Sequence, residues 1–98
     1  MKVNEITVEK IAEYLKLDLE ELDEAQTDEL SIFLNAAIDF LQSYTGLDLD
    51  EISKHKDFTI AVFVLVADMF ENRQFHVDER NLNRVVETIL DMHSTNLL

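Results

Sequence analysis

Residues 57–73 read DFTIAVFVLVADMFENR, and the apolar run at their centre decides the fold. The spacing predicts that this stretch is a helix, the third in the chain. At about 100° per residue, the side chains of residues 60–67 point in every direction, so the first half of this helix has no polar face. Such a helix must be covered all round. We expect neighbouring helices to cover it and, where they do not suffice, a second subunit to cover the remainder.

The composition favours one helical domain. The chain has 98 residues, 47% of them hydrophobic, which is enough for a single modest core within one domain over residues 1–98. It contains one glycine and no proline, so it lacks the residues that hairpins and tight strand turns require. We therefore predict an all-α single domain of about four helices around the apolar third helix. The absence of cysteine excludes disulfides, thiolate metal ligands and cysteine nucleophiles.

Two helices are predicted before the apolar one. Thr7 is the predicted N-cap of a first helix over residues 8–15, whose Tyr14 and Leu15 should point inward. Residues 18–29 contain seven acids and no base, which predicts a solvated connection leading into the second helix. The apolar stripe of the second helix contains Leu30, Phe33, Leu34, Ala37, Leu41 and Tyr44.

The second helix is predicted to end at Gly46, because glycine tolerates the left-handed conformation common just past a helix terminus. Ile32 does not fit its stripe and falls near the polar side. We predict a loop at residues 47–56, a connector at residues 74–80 and a last helix at residues 81–92. The apolar stripe of the last helix contains Leu82, Val85, Val86, Ile89 and Leu90.

The net charge argues against a protein that grips nucleic acid. The formal charge is −13 at pH 7, whereas affinity for DNA or RNA comes largely from Lys and Arg that neutralise phosphates. The first ten residues, MKVNEITVEK, contain no apolar signal region. The longest apolar stretch, residues 58–70, is interrupted by Thr59 and Asp68 and is too short to span a bilayer. We expect a soluble, unexported protein with no membrane partner.

No set of residues predicts a metal site, a cofactor or catalysis. His76, Asp78 and Glu79 offer three ligand side chains on a connector but lack a fourth, so we assign no metal there. His55 and His93 lie in polar sequence with no partnered nucleophile and are interpreted as surface histidines. We therefore expect a protein that is not an enzyme and holds no cofactor.

Three segments resemble a known family. Residues 12–18 (AEYLKLD), 40–46 (FLQSYTG) and 61–75 occur in the order found in the small, all-helical phage head-tail connectors of the head-completion or adaptor type. The third segment ends in MFENRQF, which resembles the aromatic-Glu-Asn-Arg signature of that family. Tyr commonly stands there where this chain has Phe70. Together with Ile6 and Thr7 before the first segment, the matches span most of the chain in the expected order.

The resemblance implies a structural role in the virion. A family member assembles as a ring, twelvefold in the particle, which docks beneath the portal protein and binds a tail-proximal protein on its other side. DNA would pass through the channel without specific binding, because carboxylates facing the channel repel phosphates. The expected location is the head-tail junction of the virion, and the host cytoplasm during assembly.

The same resemblance marks a candidate interface with another subunit or partner. Two roles remain open for the Glu-Asn-Arg motif, namely a contact between subunits or an intrahelical or interhelical hydrogen-bonded cluster that closes the third helix within one subunit. The rival functions are an acidic DNA mimic that inhibits a nucleic-acid-binding protein and, with no site chemistry to support it, a small enzyme. The candidate interface residues are Ile32, Phe63, Phe70, Glu71, Asn72, Arg73 and Phe75.

Overall fold

The helices confirm the predicted all-α class. A computed structural model of the chain describes residues 1–93, which contain no β-strand. It has one helix more than the four predicted, and the apolar helix is the fourth. The helices are α1 (Val8–Tyr14), α2 (Glu24–Thr45), α3 (Leu49–Ser53), α4 (Lys56–Asn72) and α5 (Arg84–His93).

Short polar side chains start the first three helices. The Thr7 hydroxyl accepts a hydrogen bond from the third backbone N–H of α1, as the sequence predicts. Asp23 does the same for α2, and the Gln26 side chain in turn accepts from the Asp23 backbone N–H, which completes a capping box. Asp48 caps α3 at 2.8 Å. Each cap typically contributes about 1 kcal/mol to stability.

Two predicted connections are partly helical, and these predictions were wrong. α2 begins inside residues 18–29. The capping box at Asp23 starts the helix there, so the second half of this segment forms the first turns of α2. The predicted loop over residues 47–56 contains α3, whose Ile52 is fully buried. α5 also starts later than predicted, because the chain first forms a 3-10 turn, Glu79–Asn81, which Asp78 caps.

α4 lies at the centre of the fold and packs against each of the other four helices. Those helices cover most of its surface, although the side chain of Ile60 remains 53% exposed and Phe63 and Val64 are half-buried. None of the helices formed by residues 1–93 is both long and apolar enough to cross a membrane. The buried side chains of α4 are Phe58, Ala61, Val62, Leu65, Val66 and Met69.

The predicted end of α2 is confirmed. Gly46 adopts φ 73°, the left-handed conformation, and its N–H donates to the Gln42 carbonyl. The buried residue before it is Thr45, whose hydroxyl donates to the Leu41 carbonyl at 2.6 Å and accepts from the Leu47 N–H at 3.1 Å. This local network satisfies polar groups that would otherwise be unpaired inside the protein.

Three residues predicted to point inward are about half exposed. They are Tyr14, Tyr44 and Val85, at 48%, 47% and 48% exposure respectively. Tyr14 lies at the end of α1 and covers Phe63 with its ring, at a centroid distance of 5.0 Å. Tyr44 lies against Phe40 at 5.7 Å. Both tyrosine rings therefore lie over apolar side chains at the protein surface and are not core residues themselves.

The first six residues, to which the sequence assigned no structure, complete the core. Val3 and Ile6 are 1% and 8% exposed. The Asn4 N–H donates to the Ser53 hydroxyl of α3 at 3.2 Å, and the Thr59 hydroxyl of α4 donates to the Met1 carbonyl at 2.7 Å. These hydrogen bonds hold the start of the chain across α3 and α4.

Candidate subunit interface at the end of helix α4

The motif that carries the family resemblance forms the end of α4. Asn72 is its last residue, and Arg73 follows in the left-handed conformation with φ 53°. The Gln74 N–H donates to the Met69 carbonyl at 3.0 Å, which pairs one of the terminal carbonyls of the helix. The chain then reverses, so that Phe75 lies against α2 and not beyond α4.

An aromatic cluster supports this turn. Phe33 of α2 is fully buried, with Phe70 edge-on at 6.4 Å and Phe75 stacked on it at 5.1 Å. The guanidinium of Arg73 lies 4.9 Å from the centre of the Phe70 ring, within cation–π range. Phe75 nevertheless remains 52% exposed. One buried ring therefore fixes the position of a second ring that faces solvent.

Arg73 makes an ion pair within the chain. Its Nη1 lies 2.7 Å from Oε1 of Glu29 on α2, with side-chain exposures of 67% and 30%. This contact joins α2 to the end of α4 within one chain, which agrees with the interhelical form of the second role left open for the motif. The role as a contact between subunits stays a prediction. A pair this exposed typically contributes between 0 and about 1 kcal/mol. About two thirds of the Arg73 side chain remains accessible to solvent.

The candidate residues do not form one continuous patch. Phe70, Arg73 and Phe75 share the aromatic cluster, and Glu71 and Asn72 are exposed beside them. Ile32, 49% exposed, lies one turn along α2 from Glu29, on the same side of the helix. Phe63 lies elsewhere, under Tyr14 in the middle of α4. We define the α4-end surface as Ile32, Phe70, Glu71, Asn72, Arg73 and Phe75, and its role as an interface stays a prediction.

Replacing Arg73 separates its backbone role from its side-chain role. A left-handed conformation costs a non-glycine residue about 1–2 kcal/mol. Arg73→Ala and Arg73→Gly both lose the ion pair with Glu29. Only glycine removes the energetic cost of the left-handed backbone conformation at this position. We expect Arg73→Gly to be more stable than Arg73→Ala by about 1 kcal/mol in urea unfolding. Equal free energies of unfolding would contradict the observed end of α4.

The surroundings of Asp68, near the end of α4, perturb the ionisation of its carboxyl. Burial beside the connector raises the pKa of its carboxyl, and the nearby Glu71 raises it further. A raised pKa in the folded state means that the charged form is tolerated less well there than in the unfolded chain. Its contribution to stability is therefore present in acid and lost as pH rises through the folded-state pKa.

We accordingly expect Asp68→Asn to melt at a higher temperature than the parent protein at neutral pH. The gain should vanish below about pH 4, where an unfolded aspartate becomes protonated. Thermal melting by circular dichroism across pH measures this difference. Asp39→Asn is the matched control, because it removes the same charge from an exposed site on α2. An equal gain in both variants would show that net repulsion, and not burial of Asp68, is responsible.

The structure places His76, Asp78 and Glu79 on the connector between α4 and α5. His76 and Glu79 are exposed. The Asp78 carboxylate accepts hydrogen bonds from the Asn81 side chain and the Arg80 N–H, and the bond from Asn81 is the main cause of its lowered pKa. Asp78 thus serves as a helix cap.

The interpretation of His55 and His93 as surface residues was wrong. The His93 ring stacks on the fully buried Phe58 at 4.4 Å, and its side chain is only 12% exposed. The His55 ring lies 4.7 Å from that of His93, and Nε2 of His93 lies 2.8 Å from Oδ2 of Asp57. These contacts depend on the packing of α5 against α4, so the polar sequence around each histidine gave no signal of them.

The acidic side chains lie at the surface, as a highly charged protein requires. None of the 21 Asp and Glu residues, all of which fall within residues 1–93, is buried. Six exposed acids cluster in the turn before α2 and at its start. They are Asp18, Glu20, Glu21, Asp23, Glu24 and Asp28.

Comparison of the chain with protein-family models, curated proteins and solved structures finds no significant match.

Proposed function

We propose that this protein is a phage or prophage head-tail connector, which assembles as a ring beneath the portal and joins the DNA-filled head to the tail. One observation carries the proposal. The segment with the aromatic-Glu-Asn-Arg resemblance lies at the end of the central helix, where it presents exposed apolar and charged side chains on a rigid support. A motif of that kind suits recognition of another protein better than catalysis.

The chemistry of the α4-end surface supports this role. Ile32 and Phe75 are each about half exposed, and Glu71 and Arg73 lie beside Phe70 and Phe75. Protein interfaces combine an apolar centre with a polar rim and are enriched in aromatic residues and Arg. Since Phe75 is held by stacking on Phe33, little side-chain freedom remains to be lost on binding.

The charge is consistent with a DNA channel. A ring of subunits that each carry −13 repels the phosphates of DNA, so DNA passes without adhering. The twelvefold ring, the portal protein and the tail-proximal protein are partners that the family resemblance implies. The proposed location is the head-tail junction of the virion, reached after assembly in the host cytoplasm.

The acidic cluster at the start of α2 favours one alternative, an inhibitor that mimics DNA. Such a protein presents carboxylates in place of phosphates to a basic partner. It would bind that partner without assembling into a ring. Self-association therefore separates the two functions.

Self-association should increase with salt. Subunits this acidic repel one another, and about 0.1 M salt screens charges that lie more than about 10 Å apart. Sedimentation velocity of the purified protein should show larger species as salt or protein concentration rises. If the protein stays monomeric under all these conditions, and also with its portal present, ring assembly is contradicted.

A further inference from the structure

The start of α4 and the end of α5 bring three metal-ligating side chains together. One nitrogen from each of His55 and His93 and one oxygen of Asp57 all lie within 4.8 Å of one another. His55 precedes α4, Asp57 lies in its first turn, and His93 is the last residue of α5. The three come from two helices that pack side by side.

Packing fixes the two imidazole rings in place. Both rings pack against the buried Phe58, with His93 stacked on it at 4.4 Å and His55 edge-on at 5.9 Å. His55 makes no capping hydrogen bond to α4, although it occupies the N-cap position. Its ring nitrogens are thus not engaged in helix capping. The side chains of His93 and Asp57 are 12% and 27% exposed, so the cluster is partly shielded from water and still reachable.

We propose that His55, Asp57 and His93 form a binding site for a divalent transition-metal ion of the zinc type. Two imidazoles and one carboxylate are ligands that Zn²⁺ takes readily, with a water molecule in the fourth position of a tetrahedral site. Mg²⁺ and Ca²⁺ prefer oxygen ligands alone, so an imidazole pair selects against them. This inference is independent of the proposed connector function.

The ligand distances require only small adjustments. In a tetrahedral zinc site with bonds of about 2.0–2.1 Å, neighbouring ligand atoms lie about 3.3 Å apart. The His93 and Asp57 atoms are now 2.8 Å apart, as a hydrogen bond requires, and no pair exceeds 4.8 Å. Metal binding would replace the proton shared by His93 and Asp57, and a rotation of the side chains would complete the geometry. A bound ion would pin the end of α5 to the start of α4.

Zinc titration of chelator-treated protein, followed by calorimetry with excess Ca²⁺ present, tests the site. The Ca²⁺ occupies exposed carboxylates, which would otherwise bind zinc weakly across so acidic a surface. We expect one Zn²⁺ per chain. At a hundredfold excess of free zinc over Kd, the melting temperature should rise by about 10 °C or more. Affinity should fall in acid, because a metal-bound imidazole must be unprotonated.

Conservative variants locate the ligands. His55→Gln, Asp57→Asn and His93→Gln should each weaken zinc binding at least tenfold, and circular dichroism of each variant checks that it is folded. His76→Gln is the matched control, because His76 is exposed on the connector. It should bind zinc as the parent does. The chain has three histidines, so their imidazole proton resonances offer an independent measure. Those of His55 and His93 should shift on stoichiometric zinc addition, and those of His76 should not.

Three results would overturn the proposal. They are zinc binding that excess Ca²⁺ abolishes, equal loss of affinity in His76→Gln, and imidazole resonances of His55 and His93 that do not respond to stoichiometric zinc. In that event the cluster is an aromatic packing unit closed by the hydrogen bond between His93 and Asp57.

Discussion

Phe33→Ala is expected to destabilise the protein by about 3–5 kcal/mol, the usual cost of truncating a buried phenylalanine. The Phe33 ring is fully buried and contacts both Phe70 and Phe75, so its loss leaves a cavity and removes the support of the α4-end surface. A small domain has only about 5–15 kcal/mol of stability in total. Much of the variant should therefore be unfolded at moderate temperature.

Urea unfolding followed by circular dichroism measures this loss. Ile32→Ala is the matched control, since Ile32 is the adjacent residue on the same helix but is 49% exposed. Substitutions at such positions usually change stability by less than about 0.5 kcal/mol. A loss below about 1 kcal/mol in Phe33→Ala would mean that Phe33 does not anchor the packing of α2 on α4.

The second large effect concerns assembly. We expect the double variant Ile32→Glu with Phe75→Glu to stay folded but to lose self-association by a hundredfold or more. Interface residues that dominate binding each contribute about 2 kcal/mol or more, and a factor of ten corresponds to about 1.4 kcal/mol. Added carboxylates also increase the repulsion between subunits. Sedimentation velocity at high salt measures the change in association constant.

The control for this variant is another exposed apolar site. Ile60, Val85 and Met92 line an apolar groove between α4 and α5 and are 53%, 48% and 59% exposed. Val85→Glu places the same new charge in that groove. It should leave self-association unchanged if the α4-end surface forms the contact. If Val85→Glu loses assembly and the double variant assembles normally, the contact between subunits lies at the groove and not at the α4-end surface.

Local signals explain which parts of the fold were predictable from the sequence. Thr7 acts through its hydroxyl on the adjacent helix turn and Gly46 through its own backbone conformation, so the start of α1 and the end of α2 follow from local residues alone. The core position of α4 follows from its apolar side chains, which have no polar face. The all-α class was predictable from composition, because a chain without proline and with one glycine forms few tight turns.

The missed features depend on contacts between distant segments. α3 has five residues, too few to show a helical period, and is held by the buried Ile52. Val3 is buried because the start of the chain lies across α3 and α4. The approach of His55 and His93 needs the packing of α5 on α4. The residues of the α4-end surface were named from the sequence. The pairing of Arg73 with Glu29 and the position of Phe63 away from this surface, under Tyr14, were not predictable.

The head-tail connector function is tested most directly by deleting the gene from its parent phage or prophage and imaging the lysate by electron microscopy. If the protein joins heads to tails, the deletion should leave DNA-filled heads and separate tails, and the parent gene supplied in trans should restore joined particles. The double variant Ile32→Glu with Phe75→Glu should fail to restore them, and Val85→Glu should succeed. A normal yield of joined particles from the deletion would contradict the connector function.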